Sequence, residues 1–235
     1  MTLRGASAAP DVLSDVARSI NVSGRRPIMR GYSDRINHAL AFAAKHHDTQ
    51  VRKGLRMPYV THAANVAVIL CCYQCDEAIV VAGVLHDVIE DSVRDGFTPE
   101  DLADRIGAKF GSDVLETVLA VTRRRLDDDG IEMSKDDVKG DYLARLATAS
   151  DSARWVCTAH NLHDAGTILA DLRRTIEPST VWSRGGLSRD STLHWYRAVY
   201  DRLVAVQFSA TILDELRGLV EALEVAPAGD APAIR

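Results

Sequence analysis

From Val80 to Leu85 the chain reads Val-Val-Ala-Gly-Val-Leu, and it then stops on His86 and Asp87, with Glu90 and Asp91 close behind. An apolar run of this kind belongs in a core. Polar groups set directly against it cost free energy unless they are paired, hydrated or bound to a metal. At about 3.6 residues per turn, His86 and Glu90 share one helix face, and Asp87 and Asp91 share the next. Such a segment is either a helix leaving the core for water, where acids are ordinary, or one wall of a site. The stretch alone does not choose between them.

The rest of the chain narrows the choice of fold. No run alternates apolar and polar residues as a strand would, and nearly every segment carries apolar residues at helical spacing. Ser33 or Asp34 caps a helix to about His47, built on Ile36, Leu40, Ala43 and Ala44. Gly54 and Pro58 break the chain before a helix at His62 to Cys72 that is apolar nearly all round, and so predicted to be buried. Asp76 caps the helix that carries the opening stretch. Thr98-Pro99-Glu100-Asp101 is a strong helix start. Further helices are expected over Phe110–Arg125, with Arg123, Arg124 and Arg125 in a last turn, and over Lys135–Ala149, Asp151–Arg174, Ser191–Ser209 and Thr211–Leu223. Pro178 to Gly186 reads as a loop. The fold class is therefore all-α, one helical bundle over residues 31–224, with a flexible arm at 1–30 that has room for a short helix at Val12–Ile20, and a disordered tail at 225–235.

Composition bounds the partners. A net charge of −5 argues against a dedicated nucleic-acid binder. No window of about 20 apolar residues is present, so no membrane span is expected, and the N-terminus lacks the apolar core of a secretory signal. Cys71, Cys72, Cys75 and Cys157 lack a second ligand pair at zinc spacing, which makes them buried free thiols suited to a reducing cytoplasm.

Chemistry-bearing residues recur on three of these helices. His62 begins one, His86 and Asp87 lie on the second, and His160, His163 and Asp164 interrupt the apolar third. Imidazole and carboxylate together suit a divalent ion such as manganese, iron, zinc or magnesium. Ahead of His62, Arg52, Lys53 and Arg56 flank Gly54 in a basic loop able either to grip phosphate oxygens or to sit in solvent.

The order His62, then His86-Asp87, then a late helical ligand resembles the HD-domain metal-dependent phosphohydrolases. More closely, the chain resembles the hydrolase domain of the RelA/SpoT family, which removes the 3′-pyrophosphate from (p)ppGpp. The resemblance rests on HDTQVRKG from His47, PYVTHAANVAVIL from Pro58, LHDVIEDS from Leu85, AHNLHDAGTIL from Ala159 and TLHWYRAVYDRL from Thr192. It spans about residues 34–206. It implies an HD-domain helical bundle with His62, His86 and Asp87 as metal ligands. It makes Glu90 and Asp91 the acids that orient or activate water, and it assigns Arg52 and Lys53, with Tyr59 beside them, to the nucleotide substrate. It also implies manganese as the divalent cofactor. Two positions depart from the family. His160 stands where the family has an aspartate as fourth ligand, and Asp164 stands where it has an asparagine at the nucleotide. These changes keep open a different phosphorylated nucleotide as substrate, or a nucleotide-binding regulator with weakened turnover. With no synthetase segment in the chain, hydrolysis is the only alarmone reaction expected. The oligomeric state is open, a homodimer being one option.

Overall fold

The computed structural model describes residues 31–52, 56–91, 96–184, 186 and 188–228. The expected arm, its short helix at Val12–Ile20, Lys53 and most of the tail lie outside the described residues.

The described chain is a helical bundle, α1 (Asp34–His46), α2 (Val60–Cys72), α3 (Glu77–Leu85), α4 (Val88–Asp91), α5 (Pro99–Phe110), α6 (Ser112–Val121), α7 (Lys135–Thr148), α8 (Asp151–Leu172), α9 (Pro178–Ser183), α10 (Arg189–Ala205) and α11 (Thr211–Glu224). Among the described residues there is no strand, only isolated bridges between Val51 and Pro58 and between Leu126 and Glu132. Side-chain caps set the helix starts. Ser33 accepts from Ile36 N–H, Ser134 from Asp137 N–H and Ser150 from Ala153 N–H, while Thr98 and Asp101 close a reciprocal capping box.

The apolar run sits at the centre. Every residue from Val80 to Leu85 is buried, and α3 packs against α1, α2, α6 and α8. Close approach of α2 depends on Gly83, where an added Cβ would fall on the Leu70 side chain with Val66 next to it. We expect Gly83→Ala to destabilise the protein by about 1–3 kcal/mol through overpacking, read as a lowered Tm by circular dichroism.

Several sequence expectations are corrected. The opening stretch is not one continuous helix. α3 ends at Leu85, His86 and Asp87 form a turn, and helical hydrogen bonding resumes with Asp91 N–H to Asp87 O at 3.0 Å. The Phe110–Arg125 helix is really the end of α5 and the whole of α6, separated by Gly111 at φ 93°, a left-handed value that favours glycine. α6 stops at Val121 and Thr122 is extended, so the three arginines lie beyond the helix rather than in its last turn. The Pro178 segment is helical because Pro178 occupies an N-terminal position where its missing N–H costs nothing, and it buries Val181 and Trp182. α2 is not buried all round, since Val68 is 57% exposed. Of the cysteines only Cys157 is buried, while Cys71 and Cys72 are exposed on the outer face of α2. The start of the expected disordered tail is held in place. Trp182 Nε1 donates to Pro227 O at 3.0 Å, and Arg189 Nη2 donates to Ala226 O at 3.4 Å.

Candidate metal centre

Three helices deliver four donors to one point. His62 lies in the first turn of α2 and is 1% exposed. His86 and Asp87 form the turn that ends α3, and His160 comes from the middle of α8. His62 Nε2 stands 3.2 Å from His86 Nε2 and 3.4 Å from His160 Nδ1, and the last two are 2.8 Å apart. Asp87 Oδ2 is 3.0 Å from His86 Nε2 and 3.5 Å from His62 Nε2. Two donors each about 2.1 Å from a shared ion, at about 90–110° to one another, are themselves about 3.0–3.4 Å apart. The observed separations, 2.8–3.5 Å, lie within about 0.2 Å of that range, and these four side chains form a group within reach of a single ion.

The protonation states suit ligands. His86 Nδ1 lies 2.8 Å from Gly83 O, which can only accept, so a proton sits there. Burial lowers the His86 pKa, but Asp87 beside Nε2 more than offsets this and raises it, and a divalent ion would take the place of the proton on Nε2. Burial lowers the pKa of His62, and it pushes His160 down to about 3, so both are neutral near pH 7. For Asp87 burial acts upward, but the neighbouring imidazoles of His86 and His62 hold its carboxyl well below the usual range. Tyr59 donates to Asp87 Oδ2 at 2.6 Å, and burial together with Asp87 raises its phenol so that it remains a donor. The tyrosine expected beside a nucleotide therefore touches the proposed ligand carboxylate.

The two acids beyond the turn part company. Glu90 lines a cleft with His86, Asp87, Arg123, Tyr142 and His160. Its Oε2 accepts from Arg123 N–H at 3.1 Å, and Arg123 Nη1 is 3.5 Å from Oε1. Burial raises the Glu90 pKa, and Arg123 only partly offsets this. Asp91 faces Tyr59 and His47 instead, and burial followed by repulsion from Asp87 raises its pKa. The helical spacing of the opening stretch predicted this division, with Glu90 on the His86 side.

Arg52 and Asp164 meet each other. Arg52 Nη2 is 2.5 Å from Asp164 Oδ1, and Nη1 is 2.7 Å from His62 Nδ1. Asp164, expected at a nucleotide, is surrounded by His62, His160, His163 and Arg52. Lys53 is outside the described residues. His163, named with His160 and Asp164 on the third helix, stands here too, its Nδ1 2.8 Å from His62 Nδ1. One neighbour of the centre was not foreseen. Arg123 gave no signal, because an arginine run after an apolar helix reads as ordinary solvated charge.

Comparison with known proteins follows the same lines. A family model described as "HD domain" matches residues 39–177. The chain is 32% identical over 195 residues to the guanosine-3′,5′-bis(diphosphate) 3′-pyrophosphohydrolase MESH1 of Drosophila melanogaster, covering 80% of this chain and 97% of the fly protein. It is 27% identical over 174 residues to the bifunctional (p)ppGpp synthase/hydrolase SpoT of Escherichia coli (strain K12), covering 72% of this chain and 23% of that longer protein. Among solved structures it is similar to a metazoan ortholog of SpoT that hydrolyzes ppGpp, with a TM-score of 0.63, 26% identity, and coverage of 82% of this chain and 97% of that one.

Proposed function

The chain belongs to the HD-domain family, and from that membership we propose that it is a metal-dependent phosphohydrolase that removes the 3′-pyrophosphate of guanosine polyphosphates such as (p)ppGpp. The observation that carries this reading is the convergence of His62, His86, Asp87 and His160 on one point at donor–donor distances suited to a divalent ion. Manganese is the ion proposed, and it would be held by these four side chains. A bound divalent ion supplies Lewis-acid activation of water and of a phosphoryl oxygen.

The protein groups do the rest. Glu90 stands on the cleft beside His86 with a raised pKa, which fits a group that takes the proton of the attacking water. Its contact with Arg123 N–H fixes the carboxylate in place. Asp91, one residue on, supports the Tyr59 side of the centre, and Tyr59 in turn orients Asp87. Arg52, whose guanidinium pairs with Asp164 beside His62, and Lys53, next in sequence, are the groups proposed to meet the substrate phosphates. The catalytic domain is taken as residues 31–224, with 1–30 an arm and 225–235 a tail. The cytoplasm is the proposed site of action, and the stringent response the proposed setting.

The test is direct. Protein stripped with chelator and reloaded with Mn²⁺ is expected to convert ppGpp to GDP and pyrophosphate, and the stripped form to release none. Failure of the loaded protein on both ppGpp and pppGpp would overturn the substrate. The neutral His160 in the donor set favours one second reading, a different phosphorylated nucleotide. A panel of nucleotides with and without a 3′-phosphate separates the two.

A further inference from the structure

Two guanidinium groups flank the centre, and their surroundings differ. On the His62 side, Arg52 Nη2 is 2.5 Å from Asp164 Oδ1 and Nη1 is 2.7 Å from His62 Nδ1, so both of its terminal nitrogens have partners. On the Glu90 side, Arg123 lines the cleft with Glu90 and with His86, Asp87 and His160 of the four-donor group. Among the described residues its guanidinium finds a single acceptor, Glu90 Oε1 at 3.5 Å, which is the outer limit of a hydrogen bond. A guanidinium has five N–H donors. Most of those of Arg123 are left for water or for a ligand of the cleft.

The fold nevertheless holds this cation in place. α6 ends at Val121, Thr122 is extended, and Arg145 Nη2 donates to Thr122 O at 2.7 Å. Arg123 N–H then donates to Glu90 Oε2 at 3.1 Å. The guanidinium carbon stands 5.8 Å from the centroid of the Trp195 ring, within cation–π range. Trp195 is tied in turn to α8, the helix of His160, through donation from its Nε1 to Asn161 Oδ1 at 3.2 Å. Burial acts against the charge of Arg123, but Glu90 more than offsets this, and the group stays a cation.

We propose that Arg123 is a catalytic residue that donates to a non-bridging oxygen of the phosphoryl group under attack, on the same side of the centre as Glu90. The inference rests on the reading of the site as a ppGpp hydrolase. In that reaction water adds to the phosphorus bonded to the ribose 3′-oxygen and passes a proton to Glu90. The P–O3′ bond breaks with its electron pair on O3′. O3′ takes up one proton, which balances the one Glu90 received, and the products are GDP and pyrophosphate. Charge in such a transition state is spread over the non-bridging oxygens of the transferred group. A fixed donor aimed at developing charge lowers the barrier more than it strengthens binding of the ground state.

The experiment compares wild type, Arg123→Ala, Arg123→Lys, Glu90→Gln and Arg123→Ala combined with Glu90→Gln. Each is full-length protein loaded with Mn²⁺, with ppGpp as substrate and circular dichroism to verify folding. Arg123→Ala is expected to lose about 10²–10³-fold in kcat, with KM changed less than about threefold. Its Mn²⁺ affinity, measured by electron paramagnetic resonance, should equal that of wild type. Added guanidinium ion, kept below denaturing concentrations, should restore part of its kcat. Arg123→Lys keeps the charge without the planar fork and is expected to fall between the two. The combined variant separates contact with the phosphoryl group from action through Glu90. A residue that only places Glu90 has no effect once that carboxylate is gone. Arg123→Ala is instead expected to cost at least about tenfold in the Glu90→Gln background, measured in single turnover. A kcat within about twofold of wild type in Arg123→Ala, or no added loss in the combined variant, overturns this role alone. So does weakened Mn²⁺ binding that accounts for the lost rate. If Arg123→Ala does not fold, Arg123→Lys carries the comparison, and a wild-type kcat in it overturns the role. Absence of ppGpp hydrolysis by the loaded wild type overturns the substrate reading and this role with it.

Discussion

Asp87→Ala is expected to leave the purified protein without bound divalent metal and without measurable hydrolysis of ppGpp. Asp87 supplies the only carboxylate of the four-donor group, and its Oδ2 lies 3.0 Å from His86 Nε2. Without it, three neutral imidazoles would face a divalent charge with no anion to offset it. The variant also removes the acceptor of the Tyr59 hydroxyl, at 2.6 Å, so the wall of the centre toward Asp91 loses its tie. Asp87 is buried, and its loss leaves the Tyr59 hydroxyl without its acceptor at a cost of about 1–3 kcal/mol, so the variant is expected to fold with a lowered Tm. Metal analysis of the purified variant, with circular dichroism to verify folding, checks the expectation. A folded variant with full metal content would place the centre elsewhere.

The second large effect is expected at Glu90. Glu90→Gln should retain its metal and lose about 10²–10⁴-fold in kcat, because it removes a general base without touching the four-donor group. Glutamine can still accept from Arg123 N–H through its amide oxygen, so the side chain should keep its place. Metal content and kcat, measured on the same preparation, separate this outcome from simple loss of the ion. A kcat unchanged in Glu90→Gln would transfer the base role to Asp91.

The sequence disclosed most where chemistry is local. A capping serine or threonine acts on an N–H three residues ahead, so the starts at Ser33, Thr98 and Ser134 could be read directly. The donors His62, His86, Asp87 and His160 stood out because each interrupts an apolar frame. Helix ends were harder. Apolar spacing continues in phase across Gly111, so only its positive φ reveals the break between α5 and α6. The turn at His86 and Asp87 was likewise hidden, since His86 keeps near-helical angles of φ −57° and ψ −33°. Long-range pairing left no trace at all. Arg52 with Asp164, and Arg123 with Glu90, join segments 112 and 33 residues apart, and no local pattern encodes such distances. Thiol exposure was misjudged for a related reason. The outer face of α2 tolerates Cys71 and Cys72 because a small, weakly polar group costs little in either environment.

The central position of α3 has one more consequence. The centre is built where the core helices meet, so the chain cannot unfold and keep its ligands together. An ion bound only by the folded state adds its binding free energy to the stability of the whole bundle, about 2.7 kcal/mol when free metal is a hundred times its Kd. Thermal melting should therefore shift upward with metal concentration. In a metal-poor environment the protein would lose structural resilience together with its chemistry, so the ion supply sets how long a folded molecule lasts as well as how fast it works.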